Sequence, residues 1–286
     1  MLVNLSIIRW LVLNKHRMYI LFVVVFFLQF SVPVVSMEAG VPVFKLIDKD
    51  DFVVNEPLLV EFTIKNILKY EVELDLGHNR ESNFVVVVHD LKNNKSYGPT
   101  SLDSSGFGRI GKMKLAKGED YSTVLVLNKW FNGFEVGEYR IEIRLKNNSS
   151  LEKKLNGKLF SGDFTVNIGK RNPEKLTALC EKYLNSASQS QDVSVVGFSS
   201  LALSYVNDPL AVPFLIKLFE NNKVARQNVL AGLSRIKNAE AVRFLIDVQK
   251  REISDTSELA RDALTSIYEE SKSEEVKELI EKNKMF

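Results

Sequence analysis

The chain has 286 residues, 45% of them hydrophobic and 26% charged, with 14 Gly and 7 Pro. That length suits two domains and that composition an ordinary globular protein, which excludes collagen, coiled coil and long disordered tails. The 38 Lys and Arg balance 36 Asp and Glu, so no charge excess points to nucleic acid, and a single Cys excludes an internal disulfide framework and any zinc site built on cysteines.

Residues 1–36 do not read as part of a fold. Arg9, Lys15 and Arg17 precede a 12-residue apolar run at 19–30, and Val34, Val35 and Ser36 stand before Met37. A basic stretch, an apolar run and small or β-branched residues ahead of a cut are the parts of a secretory signal, with cleavage after Ser36. Met18 stands where a shorter signal would start. The alternative is an uncleaved anchor, although the 18 residues of 18–35 fall short of the ~20 that span a bilayer and are interrupted by Gln29, Ser31 and Pro33. Either way Lys15 and Arg17 stay inside, the rest is exported, and a membrane is a partner only if the leader is uncleaved. The leader carries three of the 38 basic residues and no acidic one, so the remainder holds 35 against 36.

From 41 to 168 the period is two. Val60, Phe62 and Ile64 alternate with Glu61 and Lys65, and Tyr70, Val72, Leu74 and Leu76 with Glu71, Glu73 and Asp75. Residues 84–88 (FVVVV) are apolar on both faces, and Tyr139, Ile141, Ile143 and Leu145 alternate with Arg140, Glu142 and Arg144. Further runs lie at 44–47, 124–127 and 164–168, with turn signals at Asn55-Glu56-Pro57, Asn93-Asn94, Gly133, Gly137 and Asn147-Asn148. About seven short strands with no helical period predict an antiparallel sandwich.

Two segments add a resemblance. Asn55-Glu56-Pro57-Leu58 with the strand after it, and Trp130-Phe131 through Gly137-Glu138-Tyr139-Arg140-Ile141, resemble the immunoglobulin-like modules of exported bacterial proteins. The resemblance implies a corner at which the Tyr139 hydroxyl bonds back to the chain, and Trp130 reads as packing. Gly106, Gly108 and Gly111 satisfy G-x-G-x-x-G, but the stretch is loop-like and no helix N-terminus follows to hold a phosphate. Asp48, Asp50 and Asp51 lack the oxygen ligands and glycine that a calcium loop needs next. His78 and His89 have no third ligand nearby, so no catalytic set, cofactor or metal is implied.

After Gly169 the period becomes helical. Asn172-Pro173 is a cap with a first-turn proline, and seven helices are predicted at 173–184, 192–206, 209–220, 223–236, 239–251, 256–270 and 274–282. They repeat: Ala211-Val212-Pro213-Phe214-Leu215-Ile216 returns 30 residues later as Ala241-Val242-Arg243-Phe244-Leu245-Ile246, and more weakly at 275–280. Val224-Ala225-Arg226 is echoed by Leu259-Ala260-Arg261. A unit of ~30 to 35 residues built of two short helices predicts a solenoid.

Over 208–280 these residues resemble short bacterial HEAT repeats, which implies structural roles for Arg226 and Arg261 and a protein-binding scaffold. The sequence therefore predicts a β-then-α chain: a leader at 1–36, an antiparallel immunoglobulin-like sandwich at 41–169 and a HEAT-like solenoid at 172–286. Such a chain is expected to act as an exported, non-enzymatic adaptor for a protein partner. The alternatives are an envelope hydrolase or lyase with a site at the domain junction, using scattered Asp, Glu, His89 or Cys180, and an inhibitor or sensor of an envelope enzyme. Cys180 among Leu176, Ala178 and Leu179 reads as a small buried hydrophobe.

One helix stands out. Residues 193–206 carry no charge, and Phe198 and Tyr205 fall where Gln227 or Asp262, and Ser234, stand in later units. Phe198, Leu201 and Tyr205 form an apolar stripe, covered either by the β domain or by a partner, with Gln227 and Asp262 on the corresponding wet face.

Overall fold

In the computed structural model, which describes residues 42–47, 51–75, 80–100, 112–146, 161–253 and 255–283, strands precede helices, and all these residues belong to the unit Val41–Phe286. The leader, the 106–111 glycine segment, His78, Asp48 and Asp50 lie outside the described residues.

Alternating side chains build the β layers. β1 (Val43–Leu46), β3 (Leu59–Lys65) and β8 (Asp120–Val126) form one sheet in the order β1-β3-β8. β2 (Phe52–Val53), β5 (Phe84–Asp90), β6 (Lys95–Thr100), β9 (Gly137–Leu145) and β10 (Ser161–Gly169) form a second in the order β2-β10-β9-β5-β6, while β4 (Val72–Asp75) and β7 (Lys112–Leu115) make a separate ribbon. The first two sheets meet through rings. Phe62 of β3 lies 5.1 Å from both Phe44 of β1 and Phe84 of β5, tilted on the one and edge-on to the other, an arrangement favoured by the ring quadrupoles. Trp130 is buried in the same core, its indole N–H donating to the Phe84 carbonyl at 3.3 Å. The Tyr139 hydroxyl accepts from the Glu135 backbone N–H at 3.1 Å.

The expected architecture requires correction. β2 runs parallel to β10, with Phe52 opposite Ile168 and Val53 opposite Gly169, so the five-stranded sheet is mixed and the fold is not a plain antiparallel immunoglobulin-like sandwich followed by a HEAT-like solenoid. A two-residue strand is too short to show alternation, and its partner lies far away in the sequence. Nor is the helical region a body apart: Val53, Leu59 and Val126 of the strands lie in the same apolar cluster as the helices.

The helices are α1 (Pro173–Gln189), α2 (Val193–Ser204), α3 (Val212–Asn221), α4 (Arg226–Ile236), α5 (Ala239–Arg251), α6 (Asp255–Glu270) and α7 (Glu274–Lys282). Side chains start several of them: Asn172, Asp192, Asn238 and Ser273 accept from backbone N–H groups of the first turns of α1, α2, α5 and α7. They stack in two rows, α1, α3, α5 and α7 against α2, α4 and α6. Between neighbours, Phe219 of α3 meets Phe244 of α5 edge-on at 5.3 Å, with the Arg226 and Arg251 guanidinium groups over its ring. Arg226 also pairs with Glu252 at 3.2 Å, which ties consecutive helix pairs together. Among the described residues no helix is long and apolar enough to cross a membrane.

The shared core bears on dissection. A fragment of residues 37–170 is expected to keep β-type circular dichroism but to melt well below the whole chain, because uncovering Val53, Leu59 and Val126 forfeits roughly 1.5 kcal/mol or more apiece. Equal melting temperatures for fragment and whole chain would show that the helices add nothing to the β region.

Candidate functional site

The two regions are joined by polar groups from three segments. In the turn between β2 and β3, Asn55 adopts a left-handed backbone with φ of 74°. Its carbonyl accepts from the Asn207 N–H at 3.1 Å, and its side-chain amide donates to Asp208 at 3.1 Å. Asp208 is wholly buried; it caps the short turn Pro209–Ala211 through the Leu210 N–H and accepts from Arg171 Nε at 2.5 Å and Nη2 at 2.9 Å. The Arg171 guanidinium, aided by the Leu210 N–H and Asn55, holds the Asp208 carboxyl below its ordinary value of 3.8 against the opposing effect of burial. Alongside, Lys175 of α1 reaches Glu56 at 2.9 Å and the Asp51 carbonyl at 2.6 Å.

Next to this joint opens a cleft of about 320 Å³. The connection from β8 to β9 contributes Asn128 and Asn132. The end of α2 contributes Tyr205 and Asn207, and the ends of α4 and α6 add Ser234, Arg235, Lys237, Ser266 and Glu270. Several of these side chains are fixed in place. Asn128 Oδ1 accepts from the Leu58 N–H at 2.7 Å, so the β layer sets that amide. Arg235 donates through Nε and Nη2 to the Ser204 carbonyl at 3.3 and 2.9 Å, and through Nη2 to the Ser204 hydroxyl at 3.0 Å. Its guanidinium lies 3.9 Å from the centre of the Tyr205 ring, a cation–π stack. Burial pulls the Arg235 guanidinium below its ordinary value and pushes the Tyr205 phenol above 10.0. Lys237, the residue that ends α4, has a left-handed φ of 54°, a conformation that favours glycine. That turn sets its ammonium 2.5 Å from Glu270, which also accepts from Ser266 at 3.1 Å and is held below 4.5.

Of the candidate partner residues Phe198, Leu201, Tyr205, Gln227 and Asp262, Tyr205 lines the cleft, together with Ser234, its counterpart in the next unit. Phe198 and Leu201 are half-buried against the helical cluster, Phe198 edge-on to Tyr183 of α1 at 6.4 Å. Gln227 of α4 and Asp262 of α6 are exposed and lie outside the cleft lining. His89 stands on β5 beside edge strand β6, 2.8 Å from the Ser96 hydroxyl and 3.3 Å from Glu142, away from the cleft lining. Cys180 is buried in α1, and burial pushes its thiol up to about 12. Thiolate being the reactive form, Cys180 in the folded chain is expected to resist alkylation at pH 8 and to react once the chain is unfolded in denaturant. Prompt labelling of the native protein would contradict that burial.

Sequence reasoning missed Asn128, Asn132, Asn207, Arg235, Lys237 and Glu270. Arg235 and Lys237 at the end of a helix read as ordinary complements to its dipole, and asparagines between strands read as turn formers. Their convergence has no signal in one dimension.

No protein-family model matches the chain, and no curated protein matches it. Among solved structures, a β-glucosidase from Listeria innocua in complex with glucose is similar at 18% identity over 46% of this chain and 16% of its own, with a TM-score of 0.25. A β-glucosidase from Erythrobacter marinus is similar at 14% identity over 46% and 15%, with a TM-score of 0.26. The yjhA protein from Bacillus subtilis is similar at 19% identity over 46% of this chain and 94% of its own, with a TM-score of 0.24. The chain thus spans about a sixth of the glucosidases it matches, and at these scores the likenesses carry no inference about its chemistry.

Proposed function

We propose that the chain is an exported, non-enzymatic adaptor that holds another protein at the junction cleft. The observation that carries this reading is the cleft itself, an open polar recess whose walls come from both the strand and the helix regions and whose position is fixed by the Asp208 joint. Such a recess suits recognition of a polypeptide segment, since Asn, Ser and Tyr side chains supply adaptable donors and acceptors while Arg and Tyr serve as anchors in protein interfaces. The helical rows next to it extend the available surface, including the exposed Gln227 and Asp262.

The test is site-specific photo-crosslinking in the native host, with the reactive side chain placed at Asn132 or at Ser234. Both positions are expected to capture one and the same protein, and a probe at Lys65, exposed at the end of β3, is expected not to. Failure of both cleft positions to capture a protein overturns the reading. The double change Phe198→Ser with Tyr205→Ser separates packing from recognition: a stability loss without altered capture assigns the stripe to the core, and the reverse assigns it to the partner. Export rests on the leader; the mature protein is expected to start at or near Met37 by intact mass, and retention of residues 1–36 would favour an anchor instead.

A further inference from the structure

We infer that Arg235 anchors a carboxylate-binding site in the junction cleft, the carboxylate being carried by a peptide segment of the partner. The assignment rests on the reading of the cleft as a partner site and names the chemistry recognised there.

A guanidinium has five N–H donors in a planar fork. In Arg235 the Nε and Nη2 groups are engaged by Ser204, whereas no bond occupies Nη1 among the described residues. Nor does any carboxylate pair with the guanidinium among the described residues, although the side chain is half-buried and the Tyr205 ring covers one face. A cation so placed has given up part of its hydration for the Ser204 oxygens and the Tyr205 ring, and a charge-assisted bond from Nη1 to an incoming carboxylate would engage the donor left over. The surrounding charges do not do so. Lys237 and Glu270 satisfy each other, and Glu81, whose charge reaches Tyr205, is paired with Lys129 at 2.5 Å.

The balance of charge also selects the anion. Arg235 is the one cation of the cleft lining without a carboxylate partner among the described residues, and α2, α4 and α6 all turn their C-termini toward the cleft, where the helix dipoles are negative. A phosphate dianion would confront Glu270 and three dipole ends with a single cation in support; a carboxylate matches that cation one to one. The exposed amides of Asn132 and Asn207 supply both a donor and an acceptor each, as a peptide backbone requires.

The decisive probe is a pair of peptides titrated into the full chain: N-acetyl-triglycine with a free C-terminal carboxylate, and the same peptide as its amide. Side-chain NMR resonances of Asn132, Asn207 and Arg235 report occupancy. Saturable shifts are expected with the acid, with affinity at least tenfold weaker for the amide. Arg235→Gln is expected to abolish the difference and Arg235→Lys to keep part of it. Because loss of the Tyr205 stack also threatens folding, the acid-to-amide comparison in the unaltered protein decides alone. Equal affinity for the two peptides, no shift with either, or shifts with inorganic phosphate but not with the acid would each overturn the assignment. Photo-crosslinking at Asn132 and Ser234 keeps the failures apart: capture of a partner without acid preference sinks the carboxylate site alone, while absent capture sinks the cleft reading.

Discussion

Asp208→Ala is expected to destabilise the folded chain by about 3 kcal/mol, measured as a shift in urea midpoint at constant slope. The substitution strips the buried partner from Arg171, the acceptor from Asn55 and the cap from Leu210 in one step. The figure sits at the low end for breaking a buried pair, because the Arg171 side chain is 49% exposed and regains water when abandoned. The pH dependence has a definite sign. Arg171 holds the Asp208 carboxyl below its ordinary value, so folding gains from its ionised form. That contribution is fully present above the unfolded value near 3.8 and disappears as the pH falls through the lower folded value. Asp208→Ala should therefore melt much earlier than the unaltered protein at pH 7, with the gap closing in strong acid. A gap that stays constant from pH 7 down to pH 2 would show that the carboxylate charge is not what holds the joint.

The second large effect concerns the contact that aims Arg235. Gly232 on α4 faces Ser204 on α2 so closely that an added Cβ would lie 2.9 Å from both the Ser204 Cα and Cβ and 3.1 Å from its carbonyl oxygen. Two of those atoms are backbone, so the helices themselves must separate. Gly232→Val is expected to cost about 3 kcal/mol, the upper range for overpacking a well-filled interface. It should also pull Ser204 away from Arg235, which bonds to it three residues further on, and so broaden the Asn207 and Arg235 resonances. Gly197 supplies the control. It too lies within a helix, α2, but nothing stands within 4 Å of its added Cβ. Gly197→Ala is accordingly expected to stabilise by roughly 0.5 to 1 kcal/mol through reduced freedom of the unfolded chain. Equal destabilisation by both changes would mean that the α2–α4 approach is not the tight point of the stack.

The end of α4 combines a strained turn with an ion pair. A glycine at position 237 would adopt the left-handed turn without strain, yet a lysine stands there and its ammonium neutralises Glu270.

The helices were legible one by one. The 3.6 period, Asn172 before Pro173 and the repeated apolar sextets located each of them, because caps and amphipathic stripes are set by neighbours three or four residues away. Strands β3, β5 and β9 were equally plain, since their alternation reflects one buried and one wet face. β6 escaped notice because Lys95 to Tyr97 on that edge strand are exposed on both faces and show no alternation, and β2 because two residues have no period. Only the tertiary structure decided the pairing of β2 with β10, which makes the sheet mixed, and the meeting of Asn128, Tyr205, Asn207 and Arg235 in one cleft. Both join segments far apart in the chain, and what brings them together is backbone pairing and the burial of a shared core, which no local period records.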